Sequence, residues 1–231
     1  MRLNKFLAQH LNVGRRAADD LITSGKVTVN GQPANLGGRA ELGDKITVQG
    51  KKLEVTPEIN YTYVLMDKPT GYVCSRRQQG DTPTIYSLLP PQYQHLKTVG
   101  RLDKDSSGLI LLTNDGDLAH RLTHPSYVKV KQYEVELDKP LEPLHHQMIN
   151  DIGISLPDGP SKLQLERLQE GDSRRWLVTM HEGRNRQIRR TFATLGYNVV
   201  QLHRTRFGDF QIHQLGDNRL AEISLNRAAL A

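Results

Sequence analysis

The longest apolar run of the chain is the segment Gly108-Leu109-Ile110-Leu111-Leu112. Such a run has the length of a buried β-strand, and it falls far short of the roughly 20 residues that a membrane-spanning helix needs. It follows a charged loop and precedes the turn Asn114-Asp115-Gly116, and these bounds are typical of a strand. The sequence therefore predicts a globular protein built around a sheet with this strand in its interior, and no membrane association.

Other segments extend this sheet. Tyr63–Met66 and Trp176–Val178 are apolar, and Tyr133–Leu137 alternates between apolar and polar residues, as a half-buried antiparallel strand does. Helical spacing predicts helices at three places in this part of the chain: Leu118–Leu122, Leu141–Ile152 and Asn185–Leu195. Strands outnumber helices and do not alternate regularly with them, which favours a mainly antiparallel mixed sheet over a doubly wound one.

The beginning of the chain has a pattern of its own. Apolar residues recur at helical spacing in two short segments, and Gly25 stands where the second helix stops. Val27 and Val29 then alternate into Asn30-Gly31, a pair typical of a two-residue hairpin turn. Lys51–Asn60 has the composition of a linker. We therefore expect an α+β protein with a small domain over residues 1–58 and a larger domain over residues 59–231.

Composition restricts the class of protein further. The chain has 231 residues and a formal net charge of +6, an excess that is compatible with a nucleic-acid partner without requiring one. Cys74 is the only cysteine, which excludes an intrachain disulfide and a cysteine-based zinc site. The amino terminus lacks the pattern of a signal peptide, so we expect a cytoplasmic protein.

Arginines are concentrated near the carboxy terminus. Arg184, Arg186, Arg189 and Arg190 stand close together, and Arg204 follows. Such a cluster is usually a solvated protein face, and it is also the composition of a phosphate-binding surface. The sequence pattern alone does not decide between these two interpretations.

The loop before the buried strand carries a candidate catalytic group. Asp103 lies in this loop, with Arg101 and Lys104 beside it. Functional side chains often occupy loops held by a rigid sheet, and an ionised, well-positioned aspartate can act as a nucleophile or a general base. The alternative is an aspartate that caps the turn or forms a structural ion pair, and spacing alone favours that alternative.

Metal-dependent chemistry is less well supported by the sequence. His120 and His124 can share a helix face, but no third ligand is evident nearby, so surface histidines are the better interpretation. A metal-dependent nuclease would draw on carboxylates that lie close together in the sequence: Asp103, Asp105, Asp115 and Asp117. That set lacks a dedicated Glu or His partner. We therefore predict no metal site.

Four motifs follow one another in the larger domain: Asp67-Lys68-Pro69-x-Gly71, Gly100–Gly116, Lys131–Val135 and Glu182–Arg190. In this order they resemble the RsuA branch of bacterial ribosomal RNA pseudouridine synthases. The smaller domain resembles an S4 RNA-binding domain through three further segments: Arg2-Leu3-x-Lys5-x-Leu7, Arg15-Arg16 and Gly25–Gly31. Together these motifs cover nearly the whole chain. Thr191 departs from the pattern, because methionine is common at that position in the family.

The resemblance implies roles for individual residues. Asp103 matches the catalytic aspartate, Tyr133 the tyrosine that lies against the uracil, and Arg189 the basic residue that pairs with the aspartate. Leu202 matches an apolar residue packed under the target base. The side chains that we expect to bind RNA are all basic: Arg2, Lys5, Arg15, Arg16, Arg101, Arg184, Arg186, Arg190 and Arg204.

The reaction implied by the resemblance converts a specific uridine of ribosomal RNA to pseudouridine. This isomerisation conserves all atoms and oxidises nothing, so it implies no cofactor. The target base must leave its stack to reach the aspartate. The implied partner is ribosomal RNA, alone or within a ribosomal subunit under assembly, and a monomer is the expected state.

Two questions stay open at the level of sequence. The S4-like domain and the short chain favour a small-subunit target, whereas Asn185-Arg186 within the last motif favours the large-subunit enzymes of the branch. A non-catalytic RNA-binding protein of the S4 type is the alternative function. It would explain the first 58 residues, but not the motifs that follow them.

Overall fold

A computed structural model describes residues 1–11, 13–41, 43–53, 60–124 and 126–225. The chain divides into two compact units, Met1–Tyr61 and Thr62–Ala231. The domain boundary expected between residues 58 and 59 lies outside the described residues, as does most of the expected linker. Within the described ranges, no helix combines the length and the apolar character needed to cross a membrane.

The first unit pairs two helices with a small antiparallel sheet. Its elements are α1 Leu3–His10, α2 Arg15–Thr23, β1 Val27–Val29, β2 Gln32–Pro33, β3 Ile46–Val48 and β4 Lys51–Lys52. The strand order is β2-β1-β3-β4. The predicted turn is confirmed, since Asn30 and Gly31 both have positive φ angles, 53° and 82°, as a tight hairpin requires. Strand β4 occupies residues that the sequence assigned to the linker.

The second unit contains the remaining strands and helices. Its strands are β5 Tyr63–Lys68, β6 Lys97–Val99, β7 Ser107–Thr113, β8 Lys131–Leu137, β9 Ile154–Leu156, β10 Gly159–Ser161, β11 Gln164–Arg167, β12 Arg175–Met180, β13 Val199–Phe207, β14 Phe210–Gln211 and β15 Leu220–Glu222. Its α-helices are α3 Gly116–Thr123, α4 Pro143–Gln147 and α5 Gln187–Thr194. Short 3₁₀ or π-helical turns cover Ile85–Leu88, Pro91–Tyr93, Met148–Ile152 and Ile212–Leu215.

One large sheet organises this unit. Its strand order is β11-β12-β8-β13-β7-β5-β15, with β14 added to β13 and β6 added to β7. Among the described strand pairs only β13 and β7 run parallel. A separate hairpin joins β9 and β10. The mainly antiparallel mixed sheet expected from the sequence is confirmed.

Strand β7 lies in the interior of the sheet, as its apolar composition predicts. It is bonded to β5 along most of its length, to β13 at its beginning and to β6 at its end. Leu109, Ile110, Leu111 and Leu112 are fully buried. Pairing with β5 and β13 therefore holds the beginning of β7, and the loop that precedes it, in a fixed position.

Helix α5 begins later than the sequence pattern predicts. Arg186 has the left-handed backbone angles φ 47° and ψ 32°, so regular helix starts only at Gln187. Ile188 and Phe192 are buried, as expected from their spacing. Thr191 is buried too, and its hydroxyl donates to the Gln187 carbonyl, 2.9 Å away. The small polar residue thus satisfies its own hydroxyl within the core.

Candidate active site

A cavity of about 750 Å³ opens at the beginning of β7 and β8 and the end of β12. Its walls come from the loop before β7, the end of α3, the beginnings of β8 and α5, and strand β13. The residues important for its chemistry are Arg101, Asp103, Lys131, Tyr133, Arg186, Leu202, Arg204 and Phe207. The sheet thus brings together residues that lie about a hundred positions apart in the chain.

A buried lysine on the neighbouring strand β5 holds the loop that carries Asp103. Lys68, at the end of β5, is fully buried, and its ammonium donates to the carbonyls of Pro69 at 2.8 Å and Ser106 at 2.7 Å. The Gly71 amide donates to the Lys104 carbonyl at 2.7 Å. Burial lowers the pKa of Lys68. These contacts tie both sides of the loop to the strand beside it.

Asp103 itself is accessible from the cavity. Its side chain is 36% exposed, and one carboxylate oxygen lies 3.5 Å from Nη1 of Arg186. The same guanidinium binds Asp105 more closely, with Nη1 and Nη2 each 2.9 Å from one oxygen. The hydrogen bonds from Arg186 lower the pKa of Asp105 and raise that of Arg186. One arginine therefore links the two aspartates of the loop.

The ion pair expected between Arg189 and Asp103 is not formed, and Arg186 makes that contact instead. Arg189 is anchored elsewhere, because its Nη1 donates to the Val199 carbonyl at 2.6 Å and its Nη2 to the Asp105 carbonyl at 2.8 Å. Its Nε lies 3.3 Å from a carboxylate oxygen of Asp105. Burial lowers the pKa of Arg189. Arg189 thus fixes the backbone of the loop rather than the carboxylate of Asp103.

Tyr133 and Leu202 lie on neighbouring strands that form one wall of the cavity. In the pairing of β8 with β13, Tyr133 lies opposite Arg204, and Leu202 lies opposite Val135. Residues directly opposite in an antiparallel pair point to the same face of the sheet. Tyr133 is 8% exposed and Leu202 is 7% exposed. Both therefore present a mostly covered apolar surface to the space in front of Asp103.

Gly108 permits the close approach of β13 to the start of β7. It pairs with Arg204 and has φ +107°. A Cβ atom added here would lie 2.4 Å from both the amide nitrogen and the carbonyl oxygen of Arg204. Only glycine fits this position, for reasons of space and of backbone conformation.

Comparison with known proteins identifies the family. The family model described as RNA pseudouridylate synthase matches residues 62–194, and the S4 domain model matches residues 1–46. The chain belongs to the pseudouridine synthases. Its S4 domain, together with relatives named small subunit synthase A and large subunit synthase B, places it in the RsuA branch of that family.

Individual relatives agree with this assignment. The chain is 38% identical to the ribosomal small subunit pseudouridine synthase A of Pasteurella multocida, over 96% of this chain and 93% of that protein. It is 39% identical to the ribosomal large subunit pseudouridine synthase B of Pseudomonas aeruginosa, over 90% of this chain and 55% of that protein. A crystal structure of a pseudouridylate synthase superposes with a TM-score of 0.66 at 30% identity, over 100% of this chain and 98% of that one.

Two arginines of the synthase that the sequence assigned to RNA contact a carboxylate. Nη1 of Arg184 lies 2.9 Å from one oxygen of Asp158, and Nη2 of Arg190 lies 2.7 Å from the other. Arg184 also donates to the carbonyls of Gly159 and Pro160. Both side chains therefore brace the β9–β10 hairpin.

The remaining basic residues differ in accessibility. Arg101 is exposed at the cavity. In the S4 unit of the synthase, Arg2, Arg15 and Arg16 are exposed and Lys5 is half-buried. Arg204 is 2% exposed, so it lies in the wall of the cavity and not on an open surface.

The carboxylates and histidines of the nuclease and metal alternatives are occupied otherwise. Asp115 caps α3, where its side chain accepts hydrogen bonds from the amides of Asp117 and Leu118. The rings of His120 and His124 pack against each other at an angle of 38°, with centroids 4.7 Å apart. Among the described residues, no group of three metal-ligating side chains comes together.

Two site residues of the synthase were missed by reasoning from the sequence. Lys68 was visible only as part of a motif, because lysine is rarely fully buried and its position in the sequence does not indicate burial. Lys131 was likewise given no role, yet it lines the cavity. Lys68 contacts the distant Ser106 and Lys131 contacts the distant Glu182, and local sequence pattern does not reveal contacts of this kind.

Proposed function

We propose that this synthase isomerises a specific uridine of ribosomal RNA to pseudouridine, with Asp103 as the reacting carboxylate. The observation that carries the proposal is the position of Asp103, whose partly exposed carboxylate faces a cavity walled by Tyr133 and Leu202. Those are the residues that the family resemblance associates with the reaction.

The chemistry requires one carboxylate at the sugar or the base. The bond from N1 to C1′ breaks, the uracil turns, C5 bonds to C1′, and the proton on C5 is replaced by one on N1. Asp103 can start this sequence by attacking C1′, by adding to the uracil ring, or by removing a sugar proton. Tyr133 stacks on the base and Leu202 packs beneath it, which keeps the detached uracil in place while it turns.

The arginines near Asp103 have distinct tasks in this proposal. Arg186, which contacts the carboxylate, orients it toward the substrate. Arg189 is a positioning residue, because it binds the backbone of the loop and the carboxylate of Asp105. Correct placement of a reacting group accounts for a large part of the rate in such reactions.

RNA binding is proposed to combine a flipped base with contacts to phosphates. Extruding the target nucleotide costs a few kcal/mol, which basic side chains near the cavity and in the S4 unit offset by binding the backbone. The exposed residues suited to this are Arg2, Arg15, Arg16 and Arg101. The enzyme acts as a monomer on ribosomal RNA or on an assembling subunit, in the cytoplasm where ribosomes are made.

The small ribosomal subunit is the favoured source of the substrate. This preference rests on the S4-like domain, since sequence identity does not separate the two kinds of relative: it is 38% to the small-subunit enzyme of Pasteurella multocida and 39% to the large-subunit enzyme of Pseudomonas aeruginosa. Large-subunit RNA is the second candidate, because Asn185-Arg186 resembles the motif of the large-subunit enzymes.

The decisive experiment incubates the protein with unmodified 16S and 23S transcripts in the presence of EDTA, then maps pseudouridine at single-nucleotide resolution. One new pseudouridine in 16S RNA, absent with the Asp103→Asn variant, is the expected result. Modification of 23S RNA alone would support the second candidate. RNA binding without modification of either transcript, or of assembling subunits, would contradict the proposal and favour a non-catalytic RNA-binding protein.

A further inference from the structure

Arg204 is a buried cation with an unused hydrogen-bond donor. Its side chain is 2% exposed, and Nε donates to the Leu109 carbonyl at 2.8 Å. Its Nη2 is buried and has no hydrogen-bond partner in the described structure. A buried donor without an acceptor is costly, so each one in a native protein requires an explanation.

A second cation lies beside Arg204. The guanidinium of Arg204 lies 4.8 Å from the centroid of the Phe207 ring, and the Lys131 ammonium lies 5.9 Å from that same centroid. Lys131 donates to the Glu182 carbonyl at 3.2 Å. Burial and the nearby Arg204 lower the pKa of Lys131, in that order of importance. Two like charges are thus held close together around one ring.

In the described structure no carboxylate forms an ion pair with Arg204 or Lys131. The described contacts of Arg204 and Lys131 are to carbonyl oxygens and to Phe207. The carboxylate of Glu182 is bound to Arg184 and to the amide of Gln187. A buried arginine and a half-buried lysine arranged in this way are electrostatically suited to an acceptor that bears negative charge.

The register of the sheet places both cations in the wall of the cavity that contains Asp103. Arg204 lies directly opposite Tyr133, and Phe207 lies opposite Lys131, in the pairing of β13 with β8. All four side chains line the cavity that contains Asp103. In the proposed function the base of the flipped nucleotide enters the covered part of the cavity, as in other base-flipping enzymes, and its phosphate stays outside. The acceptor at this wall is therefore part of the base.

We propose that Arg204, supported by Lys131, receives a carbonyl oxygen of the target uracil and stabilises the negative charge that develops there during the reaction. This inference rests on the proposed function. It adds the group that binds the leaving base, which neither Asp103 nor Tyr133 supplies.

The chemistry of the base requires such a group on every route open to Asp103. When the bond from N1 to C1′ breaks, its electron pair passes to N1 and is delocalised onto O2 and O4. When Asp103 instead adds to C6, the electron pair of the C5–C6 double bond passes toward O4. Both routes place negative charge on a carbonyl oxygen. That charge is neutralised when the electron pair forms the C5–C1′ bond, and any bond from Asp103 to C1′ or C6 breaks. C5 then loses its proton and N1 takes one up, which restores the C5–C6 double bond. Donors already in place stabilise such charge without reorganisation.

The test compares Arg204→Gln with the wild-type enzyme on the RNA that the wild type modifies. Glutamine keeps a donor for the Leu109 carbonyl but removes the charge. We expect the single-turnover rate to fall about 100-fold, while the Kd for RNA changes less than about threefold. Lys131→Gln should cost roughly tenfold in the same rate. The matched control is Arg206→Gln on the same strand, since Arg206 does not line the cavity.

Substrate oxygens provide a readout that a merely structural role would not change. RNA with 2-thiouridine or 4-thiouridine at the target replaces one carbonyl oxygen by sulfur, a weaker acceptor. If Arg204 binds that oxygen, the substitution slows the wild type more than it slows Arg204→Gln, and this non-additivity identifies O2 or O4. If Arg204→Gln does not fold, the same comparison is made with Arg204→Lys, which keeps the charge and loses the planar fork.

Several outcomes would overturn the inference. Additive effects with both thio-substrates would do so, as would a normal single-turnover rate in Arg204→Gln. A variant with weaker RNA binding but an unchanged rate would assign Arg204 to a phosphate. If the wild-type enzyme forms no pseudouridine in ribosomal RNA, both the proposed function and this inference are overturned. If the wild type turns over normally, the results with Arg204→Gln test this inference alone.

Discussion

Arg186 and Asp105 form a bidentate ion pair, with Nη1 and Nη2 each 2.9 Å from one carboxylate oxygen. Asp105 thereby fixes the guanidinium that also contacts Asp103. The left-handed backbone of Arg186, φ 47°, turns its side chain toward this loop before α5 begins. The arrangement is strained for a residue other than glycine, which indicates that the ion pair and the adjoining helix hold it in place.

The first prediction concerns the reacting carboxylate. Asp103→Asn keeps the shape of the side chain but removes the charge needed for attack or proton abstraction. We expect turnover to be abolished while RNA affinity is retained, because Asp103 is not a phosphate ligand. Pseudouridine formation in the transcript and a binding isotherm on the same transcript measure the two quantities. Residual activity within about tenfold of wild type would contradict the assignment.

The second prediction separates positioning from RNA contact. Arg189→Ala removes the bonds to the carbonyls of Val199 and Asp105, so the loop that carries Asp103 loosens. Misplacement by about 1 Å can lower the rate about 100-fold, and we expect a loss of that order in kcat with little change in the Kd for RNA. Arg190→Ala is the matched control, because Arg190 lies on the same helix and contacts Asp158 instead. Equal losses in the two variants would argue against a positioning role.

The Asp103 loop was predictable from sequence as a loop, because its charged residues and the apolar strand that follows them are contiguous in the chain. The residues that hold it, among them Lys68 and Arg186, come from distant parts of the chain and were not predictable in this way. The Arg189 contact was not predictable. Helical spacing correctly places Ile188 in the core, but the destination of Arg189 depends on carbonyls from Val199 and Asp105, which reach it only through the fold.

Strand β13 shows a second limit of sequence pattern. The apolar pair Val199-Val200 predicts only a short strand, because the residues after Leu202 are mostly polar. In the structure the strand continues to Phe207 and buries Arg204. A cation in the wall of a cavity has the same sequence signature as a cation on the surface, so its burial became visible only from the pairing of β13 with β8 and β7.

The third prediction concerns the S4 unit. Removal of residues 1–58 should leave a folded catalytic unit that retains activity at high RNA concentration but binds RNA at least tenfold more weakly. The salt dependence should report the cause, since each lost phosphate contact lowers the slope of log K against log salt by about one. Arg15→Gln with Arg16→Gln in the full chain should reproduce a part of that change. Unchanged RNA affinity after truncation would give this unit another role.

The fourth prediction concerns Gly108. Gly108→Ala places a methyl group 2.4 Å from backbone atoms of Arg204 at φ +107°. Overpacking and the unfavourable conformation together should cost about 3 kcal/mol or more in the free energy of unfolding. Gly171→Ala is the control for conformation alone, since Gly171 has φ +82° and no atom within 4 Å of the added Cβ. It should cost roughly 1–2 kcal/mol. Urea unfolding of both variants measures the difference, and equal costs would contradict the close approach of β13 to β7.

The last prediction follows from the ion pair between Arg186 and Asp105. Hydrogen bonds from Arg186 hold the folded-state pKa of Asp105 below its ordinary value of 3.8. A depressed pKa means that the pair stabilises the fold fully at pH values above that ordinary value, and that this contribution is lost as the pH falls through the folded pKa. Both side chains are more than a third exposed, so the coupling should be at most about 1 kcal/mol.

A double-mutant cycle isolates this coupling. Arg186→Gln, Asp105→Asn and the double variant are compared with wild type by urea unfolding at pH 7 and at pH 3. We expect a favourable coupling at pH 7 that shrinks at pH 3, because Asp105 is then mostly protonated in the unfolded chain and folding with the ion pair formed requires loss of that proton. High salt at pH 7 should weaken the coupling as well, since the pair is exposed. A coupling that grows on acidification would show that Asp105 is not stabilised as a carboxylate by Arg186, and the link from Asp105 through Arg186 to Asp103 would then have to be abandoned.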